Sequence, residues 1–301
     1  MSVLALDIGG SKVAVRADGR EPYAAVVRWA EGADLAQDLS LLRTTLLAAV
    51  WATGRPEALG VAFPATVNRR GTVTSWPNRP HWVGMDWRAF LDELLPPDVP
   101  ARSADDGDLA ALAEAEHAGL ADIVYLGVGT GIGGGIVLDG RPVPGAGRGS
   151  CEIGHMIVDT AGDKCECGRH GCLQATASGS AVLRRAGVLR GGPVDFACLE
   201  RGWVDGENWA VTAVRAGCVA LAAGAVSIAE MVCSDVTVIG GGFAQLPGFV
   251  EVVAEHVELL QRDGHALPEV QRSTLNGASS LQGALLLAGE ARTATTAPRW
   301  S

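Results

Sequence analysis

His155, Cys165, Cys167 and Cys172 bring one imidazole and three thiols together in a single glycine-rich stretch. These are the donors of a closed tetrahedral zinc site, which leaves no coordination position for activating water. The competing reading is a reduced, redox-sensitive thiol cluster. Core packing explains the group poorly, because packed cysteines sit among apolar neighbours. Cys151, Cys198, Cys218 and Cys233 read as buried or incidental thiols.

The second concentration of chemistry is acidic. Residues 103–114 read SADDGDLAALAE, which places Asp105, Asp106 and Asp108 where a helix begins near Leu109. Any of the three can cap that helix by accepting from its free N–H groups, and Asp108 suits the role. A carboxylate at a helix amino end is also favoured in its ionised form and can take a proton from an attacking hydroxyl. Asp7, at the end of an apolar run, is on its own a turn-former.

Three glycine clusters complete the reactive set: Gly9 and Gly10 with Ser11 and Lys12; Gly129, Thr130 and Gly131, running on to Gly134; and Gly240, Gly241 and Gly242. Glycine lets backbone N–H groups close around phosphate oxygens, so three clusters suit a polyphosphate, although each alone is equally a tight turn. Lys12 contacts phosphate or is solvated. Gly129, Gly131 and Gly134 satisfy G-x-G-x-x-G, yet a dinucleotide fingerprint needs a helix next, and residues 135–138 (GIVL) read as a strand. No P-loop motif occurs.

These groups need elements to hold them. Residues 3–7 and 13–16 are β-prone runs around the first glycines, residues 123–128 and 135–138 repeat that arrangement around 129–134, and residues 236–239 run into the third cluster. Ala- and Leu-rich helical stretches at 35–51, 109–118 and 209–231 lie between them. Strands alternating with helices predict an α/β architecture, and the repeated strand, glycine turn, strand opening predicts two related lobes with a ligand cleft between them. Residues 76–80 and 141–148 read as loops, and the tail after Arg292 as frayed.

Composition sets the outer limits. A chain of 301 residues, 48% hydrophobic and 19% charged, is a packed globular protein with room for two lobes. The net charge of −10, with no cationic run, disfavours nucleic acid and anionic membranes as partners and favours small molecules. The opening residues read as a strand rather than a signal peptide, and the apolar stretch 211–232 contains Arg215 and Glu230. A cytoplasmic protein with no membrane partner is expected.

Taken together, Asp7-Ile8-Gly9-Gly10-Ser11-Lys12, residues 127–135, Gly240 to Gly242, and Glu152-Ile153-Gly154-His155 followed by the cysteine motif resemble the ROK kinases, the family that includes bacterial glucokinases. The resemblance covers nearly the whole chain. It implies the two-lobed actin-like ATPase fold (ribonuclease H-like), ATP with Mg2+ as donor, a sugar or cyclitol as acceptor, structural Zn2+, and a homodimer. The lobes would be residues 1–106 and 107–301, with a helix at about 281–292 returning to the first.

Asp106 falls on the family's catalytic aspartate, Asp7 on a residue that positions the metal-nucleotide, and the three glycine clusters on its nucleotide loops. Sugar-facing positions fall on Pro64, Asn78, Asp105, Glu152, His155 and Gln174. Two of them depart from the family pattern: Asp105 replaces Asn and Gln174 replaces Glu, exchanging hydrogen-bond polarity. Both changes point away from glucose and toward another polyol, for which C7-cyclitols, acceptors of some relatives, are one fit; drift is the alternative. Trp76, Trp82 and Trp87 either offer an apolar face to a ring or anchor their loop. Some relatives are repressors with a DNA-binding segment before the first phosphate motif, and Asp7 lies too early for one, so a kinase is expected over a sugar-binding regulator.

Overall fold

The computed structural model describes residues 2–19, 21–145, 149–275 and 277–293. The chain divides into two compact units. The described residues of Met1–Ala113, Pro144–Ser150 and Ala278–Ser301 form the first, and those of Glu114–Val143 and Cys151–Gly277 the second.

The first unit opens with β1 (Ser2–Ile8), β2 (Lys12–Asp18) and β3 (Tyr23–Arg28), then α1 (Leu35–Thr53) and β4 (Pro56–Ala62). A small hairpin of β5 (Thr66–Val67) and β6 (Val73–Ser75) precedes α2 (Trp87–Leu94), β7 (Ala101–Ala104) and α3 (Asp106–Ala118), the helix in which the chain leaves this unit. The sheet order is β3-β2-β1-β4-β7; β1, β4 and β7 run parallel, and β2 pairs antiparallel with both β1 and β3. Central β1 buries Leu4, Ala5, Leu6 and Ile8 completely, as a strand covered on both faces must, whereas edge strand β3 alternates. α1 starts at a capping box in which Asp34 and Gln37 exchange backbone and side-chain hydrogen bonds.

The second unit contains β8 (Ile123–Val128), β9 (Ile132–Leu138), β10 (Arg141–Val143), α4 (Leu173–Ala177), α5 (Gly179–Arg190), α6 (Phe196–Val204), α7 (Asn208–Val232), β11 (Val236–Gly240), α8 (Phe249–Glu258) and β12 (Glu269–Arg272). Its sheet, β10-β9-β8-β11-β12, repeats the order and strand directions of the first. α7 is long and apolar enough to cross a membrane by composition, but Val214, Cys218, Leu221 and Ala225 lie in the core of this unit. The last helix, α9 (Ser279–Thr293), belongs to the first unit and lies on β4, where Gly60 backs onto the Ala284 carbonyl so closely that no β-carbon fits.

Two local expectations change, and the choice between two readings of the tryptophans is decided in favour of loop anchoring. β9 begins at Ile132 rather than at residue 135, because pairing from Val128–Ile132 through Leu126–Gly134 draws the glycines into the ladder, and the Tyr125 carbonyl occupies the place of a Gly134 β-carbon. Residues 141–143, read as loop, pair with β9 as β10; residues 146–148 of that loop, and the tail at 294–301, lie outside the described residues. Trp76, Trp82 and Trp87 offer no face to a ligand: at 2%, 0% and 2% exposure they pack with Phe63 in an aromatic cluster, with Phe63 and Trp87 stacked at 4.5 Å and Trp76 meeting Trp82 edge-on at 4.9 Å. Burial of so much aromatic area outweighs presenting it to solvent.

Candidate active site

In the first unit, β1 delivers Asp7 to the mouth of the Gly9–Ser11 turn, and α3 begins at Asp106. Burial raises the Asp7 carboxyl to about 6, with the Lys12 charge pulling the other way. Asp106 is likewise raised to about 6, first by burial and then by the Asp7 charge, against hydrogen bonds from the Gly107 and Asp106 backbone N–H groups. Two carboxyls close enough to feel each other, beside an N–H-rich turn, are an arrangement able to hold a proton or a bound cation. The helix cap is supplied by Asp105, not Asp108. Asp105 Oδ1 accepts from the Gly107 N–H at 3.0 Å, while Asp108 lies buried one turn further in.

The turn itself is tightly held. The Gly9 N–H donates to the Lys12 carbonyl at 2.9 Å, and the Trp29 indole N–H donates to the Gly9 carbonyl at 2.8 Å. Gly10, Ser11 and Lys12 are exposed. A β-carbon on Gly10 would stand 2.8 Å from Asn78 Nδ2, so the Asn78 loop lies directly against this turn. Pro64 follows β4, and the preceding Phe63 N–H donates to the Ala104 carbonyl near Asp105 and Asp106. Asp7, the first glycine turn, Pro64, Asn78, Asp105 and Asp106 thus all fall within one unit.

The second unit holds the remaining residues. Its turn closes with the Gly129 N–H on the Gly131 carbonyl at 2.9 Å, and the Gly179 N–H at the start of α5 donates to the Gly129 carbonyl. Thr130 is exposed at the tip. Gln174 Oε1 accepts from the Ile132 N–H at 3.1 Å, which ties Gln174 to the base of the turn. In the third cluster Gly241 has φ +88° and backs onto the Val128 backbone, and a β-carbon on Gly240 would meet the Tyr125 hydroxyl at 2.6 Å. Glu152 is exposed, one residue before the short helical turn Ile153–His155.

His155, Cys165, Cys167 and Cys172 do converge: their ligand atoms all lie within 4.8 Å of one another. Cys167 and Cys172 sulfurs are 3.6 Å apart, and Cys165 Sγ is 3.5 Å from His155 Nδ1. A tetrahedral ion with bonds of about 2.0–2.3 Å needs ligand separations of roughly 3.5–3.8 Å, so the set fits zinc. Hydrogen bonds from the Arg169 backbone and side chain lower the Cys167 thiol to about 6, whereas burial pushes Cys172 to about 12.

What sequence reasoning missed is the support behind the first turn: Trp29, Asp38 and Arg79 are all buried there. An arginine in the middle of an aromatic loop was the available signal.

The family model of the ROK family matches residues 3–291. The chain is 45% identical over 290 residues to a kanosamine kinase of Amycolatopsis mediterranei (strain S699), covering 95% of each. It is 30% identical over 275 residues to an N-acetylmannosamine kinase of Escherichia coli O157:H7, covering 86% of this chain and 92% of that one. Among solved structures, the ROK hexokinase of Thermus thermophilus superposes with a TM-score of 0.83 at 32% identity, covering 96% of this chain and 98% of that one. Two sheets of one topology, glycine turns at matching places and a match running almost end to end converge: this chain belongs to the ROK family and has its two-lobed, actin-like ATPase fold.

Proposed function

We propose that the chain is an ATP-dependent sugar kinase acting on a hydroxyl of a hexose or sugar-like cyclitol, with an amino sugar as the foremost acceptor. The observation that carries this reading is the acid pair: Asp106 at the start of α3, held near 6 by burial and by Asp7. In the step, the acceptor hydroxyl gives its proton to Asp106 while its oxygen bonds to the outermost phosphorus. The bond from that phosphorus to the bridging oxygen breaks, and ADP leaves.

Within the first unit Asp7 would orient the metal-nucleotide, and the N–H groups around Gly9, Gly10 and Ser11, with Lys12, are assigned to phosphate; within the second unit the N–H groups around Gly129, Thr130, Gly131 and Gly240 to Gly242 are assigned to the nucleotide. Magnesium bound with the nucleotide supplies neutralising charge. Pro64, Asn78 and Asp105 of the first unit, and Glu152, His155 and Gln174 of the second, are the side chains assigned to the acceptor. His155, Cys165, Cys167 and Cys172 would hold a structural zinc, which would stiffen the segment between Glu152 and Gln174 without taking part in the chemistry. The reaction belongs to the cytoplasm, where ATP is made and thiols stay reduced.

The amino-sugar preference is supported by the relative at 45% identity, a kanosamine kinase, and by Asp105. Where the family pattern has Asn, a carboxylate only accepts, which suits an ammonium group. The test is ADP release across kanosamine, glucose, N-acetylmannosamine and cyclitols, with Asp106→Asn and Asp106→Ala as controls. Turnover on at least one acceptor that disappears in both variants is expected. An unmodified protein that binds an acceptor tightly and phosphorylates none would instead be a sugar-binding regulator.

A further inference from the structure

Asp38, in α1, is 1% exposed, and its Oδ2 gathers three partners: Arg79 Nη1 at 2.5 Å, His81 Nε2 at 2.7 Å and Trp82 Nε1 at 2.8 Å. Arg79 is itself only 8% exposed. A buried ion pair is a poor source of stability, because apolar side chains of the same volume pack without losing hydration. What it can provide is direction: a carboxylate fixes a guanidinium plane in a way that an apolar contact does not.

That plane matters for its neighbours. The Arg79 guanidinium lies 4.2 Å over the Trp29 ring. Trp29 in turn donates its indole N–H to the Gly9 carbonyl at 2.8 Å and its backbone N–H to the Ser11 carbonyl at 3.3 Å. Arg79 also follows Asn78 directly in the chain, and Asn78 rests against Gly10. One buried carboxylate therefore sets two neighbouring features by separate routes, the glycine turn through Arg79 and Trp29, and Asn78 through Arg79 alone. We propose that Asp38 is a positioning residue for the active site, aligning the Gly9–Ser11 turn and Asn78 through Arg79. This rests on the reading that the turn binds nucleotide phosphate and that Asn78 faces the acceptor.

The two routes separate experimentally. Trp29→Phe keeps a ring under Arg79 but loses the N–H to Gly9, so it should weaken binding of a non-hydrolysable magnesium-ATP analogue about fivefold and leave the KM for the acceptor within twofold. Asp38→Asn keeps the shape but loosens Arg79, so it should weaken analogue binding about tenfold and raise the acceptor KM by a similar factor. In the double variant the losses in analogue affinity should be less than additive, because both act along one path. Analogue affinity within twofold of the parent in both single variants, or strictly additive losses, would overturn the proposal. So would a lowered unfolding temperature without either change. Calorimetric binding needs no turnover: a protein that binds the analogue as described but phosphorylates nothing retains the positioning role and loses the kinase assignment. Should Asp38→Asn fail to fold, the Trp29→Phe affinity and KM split decides.

Discussion

The two sheets are built alike and equipped differently. Each joins its first two strands through a glycine turn, β1 to β2 at Gly9–Ser11 and β8 to β9 at Gly129–Gly131. The first turn is entered at Asp7, left at Lys12, and backed by the charged and aromatic set of Asp38, Arg79 and Trp29. The second has no charged residue between Gly127 and Ile132 and is backed by Gln174 and the N–H of Gly179. One strand and turn plan thus comes in two forms: in the first unit it carries Asp7, close enough to Asp106 at the start of α3 to raise its carboxyl, and in the second it offers backbone alone. The fold supplies the turn, and the side chains around it supply the chemistry.

The largest expected effect falls on the acidic side of this contrast. Asp106→Ala should lower kcat by about a thousandfold while leaving nucleotide affinity nearly intact, as removal of a general base does. An equal loss of affinity would make Asp106 a binding residue and blur the division. Next comes the metal. Protein purified without chelator should contain about one zinc, and Cys167→Ser should lose it, with the unfolding temperature lower by about 5 °C. Full metal content and stability in that variant would show that Cys167 is not a ligand and overturn the four-residue zinc assignment.

A smaller effect should distinguish the two turns. A β-carbon on Gly131 would stand 2.8 Å from Gln174 Oε1, a side-chain end that can swing aside by giving up the Ile132 N–H. Gly131→Ala should therefore raise the KM for ATP about threefold with little change in kcat. A fall in kcat as large as that of Asp106→Ala would assign chemistry to the second turn as well.

The smallest effect is a shift along the pH axis. Asp106 is raised from an ordinary 3.8 to about 6, so between those values the folded chain holds a proton there that the unfolded chain has released. Stability from this group is present below about pH 4 and declines as pH rises through 6, whereas activity, which needs the base ionised, climbs over the same interval. Asp7→Asn removes the like charge and should move the Asp106 inflection downward in nucleotide-free protein, followed by carboxyl carbon resonances. An absent shift would show the two acids to be independent, and an upward one would show that Asp7 favours the ionised form of Asp106.

Sequence reveals features whose parts lie close along the chain. The His155, Cys165, Cys167 and Cys172 cluster occurs within one segment, and each of the first two glycine turns has its two strands on either side, so local spacing was enough. The Asp38 network joins α1 to a loop some forty positions away, and no periodicity marks that partnership. The tryptophans showed how much area needed covering but not by what; Phe63 beneath them decides it. In residues 132–134 the glycines mask a strand that exists because β8 pairs with it. Among Asp105, Asp106 and Asp108 the cap was ambiguous by one turn, and the Gly107 N–H resolves it.

The placement of α9 on β4 bears on how the molecule is made. The second unit occupies an almost unbroken stretch of chain and can close soon after Gly277 leaves the ribosome, apart from the excursion at 144–150. The first unit begins earlier yet waits longer. The surface of Ala5, Ala58 and Ala62, which α9 covers, stays wet until translation has delivered Ser279–Thr293, so the acid-bearing half is begun first and completed last.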